Sequence, residues 1–124
     1  MEGGIRMKIQ RGDIVLADLR ETAYCEQGKI RPVVVIQNDV GNTYSPTTII
    51  VPLTSNIKKL DQPTHAMVTA EESTGLKSDS MVMCEQVRTI DKRRITFKIG
   101  KITCDKTMKE IFRAYYANVG ECLV

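Results

Sequence analysis

The chain has 124 residues, of which 42% are hydrophobic and 27% charged, with a formal net charge of +3. That length suits one ordinary domain rather than two; no apolar run approaches the roughly 20 residues needed to cross a bilayer, and MEGGIRMKIQ lacks the apolar stretch of a secretion signal, so a cytoplasmic protein is expected. Cys25, Cys84, Cys104 and Cys122 are dispersed without a CxxC pair, which argues against a zinc site or a disulfide scaffold and for free thiols, while the mild positive charge permits a nucleic-acid partner without requiring one.

Residues Met1 to Arg6 read as an N-terminal extension, because Met7 opens a segment that would itself make a natural start, and residues 7–124 read as one domain. Asp13 to Leu19 (DIVLADL) has the pattern of a short strand, broken from Glu21 to Lys29 by a polar loop with Gly28. Arg31-Pro32 then introduces Val33-Val34-Val35-Ile36, a continuous β-branched run of the kind buried on both faces of a sheet. QNDVGNTYSPTT is dense in Asn, Asp, Gly, Ser and Pro and reads as a long loop. Thr48 to Leu53 resumes the β pattern.

Shorter strands are expected at His65–Thr69 and Ser80–Cys84, separated by the polar stretch Glu71 to Asp79. Arg94 to Ile102 alternates Ile95, Phe97, Ile99 and Lys101 with Thr96, Lys98 and Gly100, a last strand. Thr103 or Asp105 can cap a C-terminal helix, whose Met108, Ile111, Phe112, Tyr115 and Val119 recur at helical spacing before a stop at Gly120. Successive strands without intervening helices favour a small antiparallel β-barrel closed off by one helix over a βαβ fold. So small a domain buries a limited share of its surface, and a homodimer would bury more.

The chain has no phosphate-binding glycine loop, no HExxH and no GxSxG. His65 is the only histidine, so a two-histidine acid–base pair cannot form within one chain, and a lone histidine in a short strand reads first as a packing or hydrogen-bonding residue. Arg88, Lys92, Arg93 and Arg94, followed by Lys98 and Lys101, form a dense basic cluster able to hold phosphates or simply to face solvent.

Five ordered blocks carry a resemblance: Arg11-Gly12-Asp13, EQGKIRPVVVIQND at 26–39, SPTTIIVPLT at 45–54, PTH at 63–65 and SMVMCEQVRTID at 80–91. Together they resemble the MazF/PemK toxins over about Met7 to Gly120. The resemblance implies an SH3-like, CcdB/PemK-type fold, a homodimer, and sequence-specific, ribosome- and metal-independent cleavage of single-stranded mRNA without a cofactor. The 2′-hydroxyl would attack the adjacent phosphate to leave 2′,3′-cyclic phosphate and 5′-hydroxyl ends. A MazE-like acidic antitoxin would neutralise the protein by folding a disordered tail into the RNA groove.

By position, Arg31 and Thr54 match the family's catalytic pair. A threonine hydroxyl at a rigid strand end can donate to a non-bridging phosphate oxygen. An arginine, with a pKa above about 12, is better suited to clamping phosphate than to taking a proton. Glu26 is the nearest carboxylate for orienting the guanidinium or accepting the 2′-hydroxyl proton. Gln27, Asn38, Ser80 and Gln86 offer groups for reading exposed base edges, Tyr24 and Tyr44 offer stacking faces, and Arg88 a phosphate contact; Tyr115 and Tyr116 read as helix packing. Of these, Gln27 and Gln86 fit the family pattern best, and the resemblance implies a UACAU-type target. A CcdB-like gyrase-binding toxin is the alternative, although that mode resembles one dependent on a C-terminal-region tryptophan and this chain has none; a non-catalytic nucleic-acid-binding barrel is another.

Overall fold

In the computed structural model, residues 8–20 and 30–120 are described. The strands are β1 (Asp13–Asp18), β2 (Ile30–Val35), β3 (Thr47–Thr54), β4 (His65–Val68), β5 (Ser80–Met83), β6 (Arg88–Asp91) and β7 (Ile95–Lys101), and the helices are α1 (Asp39–Tyr44) and α2 (Asp105–Val119). All the paired strands run antiparallel, in the order β4-β5-β3-β2-β1-β7, with β6 also on β3.

The long strand β3 organises this sheet. One edge takes β2 through Ile50–Pro52, and the other takes β6 through Thr47–Ile50 and then β5 through Leu53 and Thr54. Two strands thus share one edge in succession, and the sheet divides there. The terminal strands of the order, β4 and β7, do not pair, so the mainly-β, antiparallel architecture with a C-terminal helix holds, while "barrel" is a loose description of an open, curved sheet.

The VVVI run is buried on both faces, as a continuous apolar strand requires. Val34 and Ile36 join Ile14, Val51 and Leu53 under Ile111 and Ala114 of α2. Val33 and Val35 join Val15, Ala17, Ile50 and Ile90 in a second cluster on the opposite face. Full burial of a Val or Ile side chain stabilises by about 1.5–3 kcal/mol, so these two layers carry most of the fold.

Several expectations change. The loop expected between β2 and β3 contains α1, because Asn38 acts as its N-cap, accepting from the Gly41 N–H at 2.8 Å. Asn42, buried, then donates to the Gln37 carbonyl at 2.8 Å and accepts from the Thr48 hydroxyl at 2.7 Å. Turn-forming residues here build a helix because their side chains satisfy its ends. Strand β6 and the 3-10 turns Cys84–Gln86 and Lys92–Arg94 were not expected. Neither Thr103 nor Asp105 caps α2: Cys104 holds that position without a side-chain cap bond, whereas Gly120 ends the helix as anticipated. Tyr116 and Val119 are 68% and 54% exposed, outside the apolar stripe that Ile111 and Ala114 bury. Alternation along β7 is interrupted by two register shifts against β1.

Gly100 lies where the chain after β4 crosses β7. A Cβ at Gly100 would stand 2.3 Å from the Thr74 carbonyl oxygen, and the Ser73 carbonyl accepts from the neighbouring Lys101 N–H at 2.8 Å. Backbone cannot step aside as a flexible side chain can. Gly100→Ala is therefore expected to destabilise by about 2 kcal/mol or more, read as a lower urea midpoint with an unchanged slope; an unaltered midpoint would mean that the crossing segment is free to move.

Candidate active site

Arg31 is the second residue of β2, paired with Ala17 of β1. On its other side β2 meets β3 in the register Val33↔Pro52, Val34↔Val51 and Val35↔Ile50, and continuing that register by two pairs sets Arg31 opposite Thr54. Strand side chains alternate faces, so Arg31 and Thr54 share the face of Ala17, Val33 and Val35, at the open end of the second apolar cluster. Two residues 23 positions apart in the chain thus stand side by side on adjacent strands.

The Arg31 guanidinium is held in an unusual state. Its Nε and Nη1 are shielded from solvent and make no hydrogen bond among the described residues, and burial pushes its pKa down. Leaving a buried donor unsatisfied costs on the order of 1–3 kcal/mol, more for a charged group. Arginine nonetheless keeps its proton near neutral pH. A desolvated cation with idle donors is a strong attractor for an anion with oxygens arranged in a plane, such as a phosphodiester.

Thr54, half-buried, accepts a hydrogen bond from the Asn56 N–H at 3.1 Å. That bond occupies a lone pair and fixes the rotamer, and it leaves the hydroxyl proton without an acceptor among the described residues. The pair therefore offers a cation and a preset neutral donor on one face, a combination suited to charge that gathers on phosphate oxygens in a transition state.

The other expected site residues divide. Ser80 of β5 lies on the opposite face from Thr54, since Thr54 pairs with Met81; it is buried, and its hydroxyl donates to the Ser78 carbonyl at 3.1 Å. Asn38 caps α1 beyond the far end of β2, about 20 Å from Arg31 by strand rise. Arg88 pairs with Ile50 and shares the Arg31 face, about 13 Å back from Thr54 toward the start of β3. Gln86 ends the 3-10 turn after β5. Glu26, Gln27 and Tyr24 lie outside the described residues. Tyr44 is 83% exposed on α1.

Residues 10–115 match the PemK-like, MazF-like toxin of type II toxin-antitoxin systems. This chain belongs to the PemK/MazF toxin family. It is 44% identical over 108 residues to endoribonuclease EndoA of Bacillus subtilis, covering 87% of this chain and 91% of the relative. It is 45% identical over 112 residues to endoribonuclease MazF of Staphylococcus saprophyticus, covering 90% and 92%. Among solved structures, MazF from Deinococcus radiodurans superimposes with a TM-score of 0.77 at 21% identity, over 93% of this chain and 99% of that one. An endoribonuclease in complex with its cognate antitoxin from a Mycobacterial species reaches 0.70 at 22% identity, over 94% and 99%. At that identity the two structures show the fold.

In this member of the family the basic cluster turns out to be largely committed. The Lys92 ammonium donates to the Asn42 carbonyl, and Arg93 pairs with Asp91 at 2.9 Å. Arg94 donates to the Asp18 carbonyl at 3.1 Å, Lys98 reaches the fully buried Asp13 at 3.1 Å, and Lys101 donates to Gln10 at 3.1 Å. Lys92, Arg94, Lys98 and Lys101 thus tie the second 3-10 turn and β7 to their neighbours, while Arg93 stays largely exposed beside Asp91. Cys84, a free thiol, is buried in the first cluster, its pKa pushed up to about 12 by desolvation, and Cys104 is free and exposed.

One interaction had no sequence signal. His65 Nε2 meets Glu85 Oε2 at 3.0 Å, and Nδ1 meets the Lys59 carbonyl at 2.9 Å. Desolvation alone would lower the His65 pKa; the hydrogen bonds with Glu85 and the Lys59 carbonyl outweigh it and hold the pKa above the ordinary value of 6.5. Desolvation would likewise raise Glu85, and its bonds from His65 and Thr64 bring it below its ordinary value.

Proposed function

We propose that this protein is a toxin endoribonuclease that cuts single-stranded mRNA at a short recognition motif, with Arg31 and Thr54 at the reacting phosphate. The observation that carries this reading is the Arg31 guanidinium, whose solvent-shielded Nε and Nη1 have no partner among the described residues, on the same face as a Thr54 hydroxyl whose proton has no acceptor among them. Relatives at 44% and 45% identity are named endoribonucleases.

In the reaction, the 2′-oxygen attacks the adjacent phosphorus as its proton passes to a base, and the bond from phosphorus to the 5′-oxygen breaks. The departing 5′-oxygen takes up a proton. The products are a 2′,3′-cyclic phosphate and a 5′-hydroxyl. No external nucleophile is consumed, so the residues have to position the phosphate, stabilise its charge and take up the 2′-hydroxyl proton. Arg31 binds non-bridging oxygens through its fork, and Thr54 donates to one of them; Glu26 is the proposed proton acceptor. Gln27 and Gln86 are the proposed readers of base edges, with Arg88 on a flanking phosphate. Ser80 and Asn38, engaged elsewhere, are left out of this set.

A MazE-like acidic antitoxin is part of the same proposal, as one solved relative is described in complex with its cognate antitoxin. So is a homodimer, for which the exposed Ile30 and Phe97 provide apolar surface. The test is to incubate the purified protein with a mixed pool of protein-free RNA in EDTA and to sequence the new ends. Ends bearing 5′-hydroxyls at one recurring motif are expected, without ribosomes or divalent metal; RNA left intact would overturn the reading.

A further inference from the structure

We infer that His65 and Glu85 are positioning residues for RNA readout, clamping the β3–β4 loop that leaves Thr54 onto the 3-10 turn that carries Gln86. The inference rests on the nuclease reading above and extends it to how the base-reading surface is held beside the reacting phosphate.

Residues 55–64 connect Thr54 to His65, the first residue of β4. Midway, Lys59 adopts a left-handed backbone at φ 50, a conformation that needs support from its surroundings. Its carbonyl accepts from the Gln62 N–H at 2.9 Å and faces His65 Nδ1 at 2.9 Å. The opposite ring nitrogen meets Glu85 Oε2, and Glu85 Oε1 accepts from the Thr64 hydroxyl at 3.0 Å. The imidazole thus bridges the loop to the central residue of the turn Cys84–Gln86, and the Thr64 carbonyl accepts from the Cys84 N–H at 3.0 Å to close the same junction. Gln86 follows directly, with its side-chain amide engaged by none of the described groups.

Both ring nitrogens face acceptors, so only the doubly protonated ring can donate to both. The other charged groups around it hold different atoms. Arg113 of α2 donates to the Pro63 and His65 carbonyls at 3.0 and 3.2 Å and pairs with Glu110. Lys106 and Glu110 line the groove beside the ring, and the Lys59 ammonium opposes its charge. Arg113 therefore anchors the β4 end of the loop in either state of His65, and the loop's midpoint depends on the imidazolium. Because the folded pKa is raised, both ring bonds of the clamp are present below about pH 6.5, and one of them is lost as pH rises through the raised value.

The test compares wild type with His65→Gln, Glu85→Gln, Gln86→Ala and the His65→Gln/Gln86→Ala double variant. Two readouts are taken from about pH 5.5 to about pH 9, the window in which a histidine titrates: kcat and KM on RNA carrying the motif or a one-base change, and amide exchange of residues 55–64. His65→Gln is expected to raise KM about tenfold with kcat within about twofold, the pattern of lost uniform binding. It should also narrow discrimination against the changed base and abolish the alkaline rise in KM. The double variant should bind no worse than Gln86→Ala, because His65 acts through that side chain. Loss of kcat at constant KM, or an alkaline rise that persists in His65→Gln, would overturn the inference. If wild type leaves all RNA intact, the nuclease reading fails and exchange decides the clamp alone. Faster exchange confined to residues 55–64 and 84–86 in His65→Gln supports it, and unchanged exchange overturns it.

Discussion

Arg31→Met is expected to abolish RNA cleavage and at the same time to stabilise the fold. The guanidinium keeps two solvent-shielded nitrogens without partners among the described residues, so removing it returns the desolvation cost that the native state carries. Methionine keeps much of the volume over Ala17 and Val33. An increase of about 1 kcal/mol in unfolding free energy follows, against a fall in kcat of about 1,000-fold or more for loss of the principal charge at the phosphate. Arg31→Lys should retain the charge and lose the fork, costing about 100-fold. Because the clamp exchanges no proton, the pH profile of kcat in wild type should show no step attributable to Arg31. Urea denaturation and single-turnover cleavage on the same preparations decide the matter: lower stability in Arg31→Met, or full activity in Arg31→Lys, would remove the clamp.

Thr54→Val is the second large effect. Valine is close to isosteric and keeps the β-branched shape that suits the end of β3, so binding of RNA should change little. The proposed donor to the phosphate oxygen disappears, and kcat should fall about 100-fold with KM within a few-fold. Thr54→Ser, which retains an oxygen to accept from Asn56 and a proton to donate, should recover activity to within about tenfold. Equal loss in the serine and valine variants would mean that Thr54 acts through its methyl group in packing and not through its hydroxyl.

These two residues illustrate how much of the candidate site could be read before folding. Arg31 and Thr54 were legible from their places at the ends of the two strongest β runs, as part of an ordered set of family-like blocks. Their adjacency was not, because it depends on the β2–β3 register, which is settled by which valines and isoleucines pack on which face. Ser80 shows the converse. It sits in a family-like block, yet strand parity turns it away from Thr54 and into the helix-covered face.

The sequence by itself determined the class of the molecule: mainly antiparallel β with a C-terminal amphipathic helix, membership of a toxin family, and an arginine–threonine pair as the candidate chemistry. Periodicity, β-branched runs and linear motifs are local properties, and local properties survive in a string of residues. Only the tertiary structure decided that the sheet stays open, that Asn38 and Asn42 build a helix inside an apparent loop, and that the basic cluster is mostly spent on carbonyls and carboxylates. It also decided that His65 and Glu85, 20 residues apart, share a hydrogen bond, and that two Arg31 nitrogens are buried without a partner among the described residues. Each of these depends on partners far away in the chain, and the free energy of a charge or an amide is set by what it faces after folding.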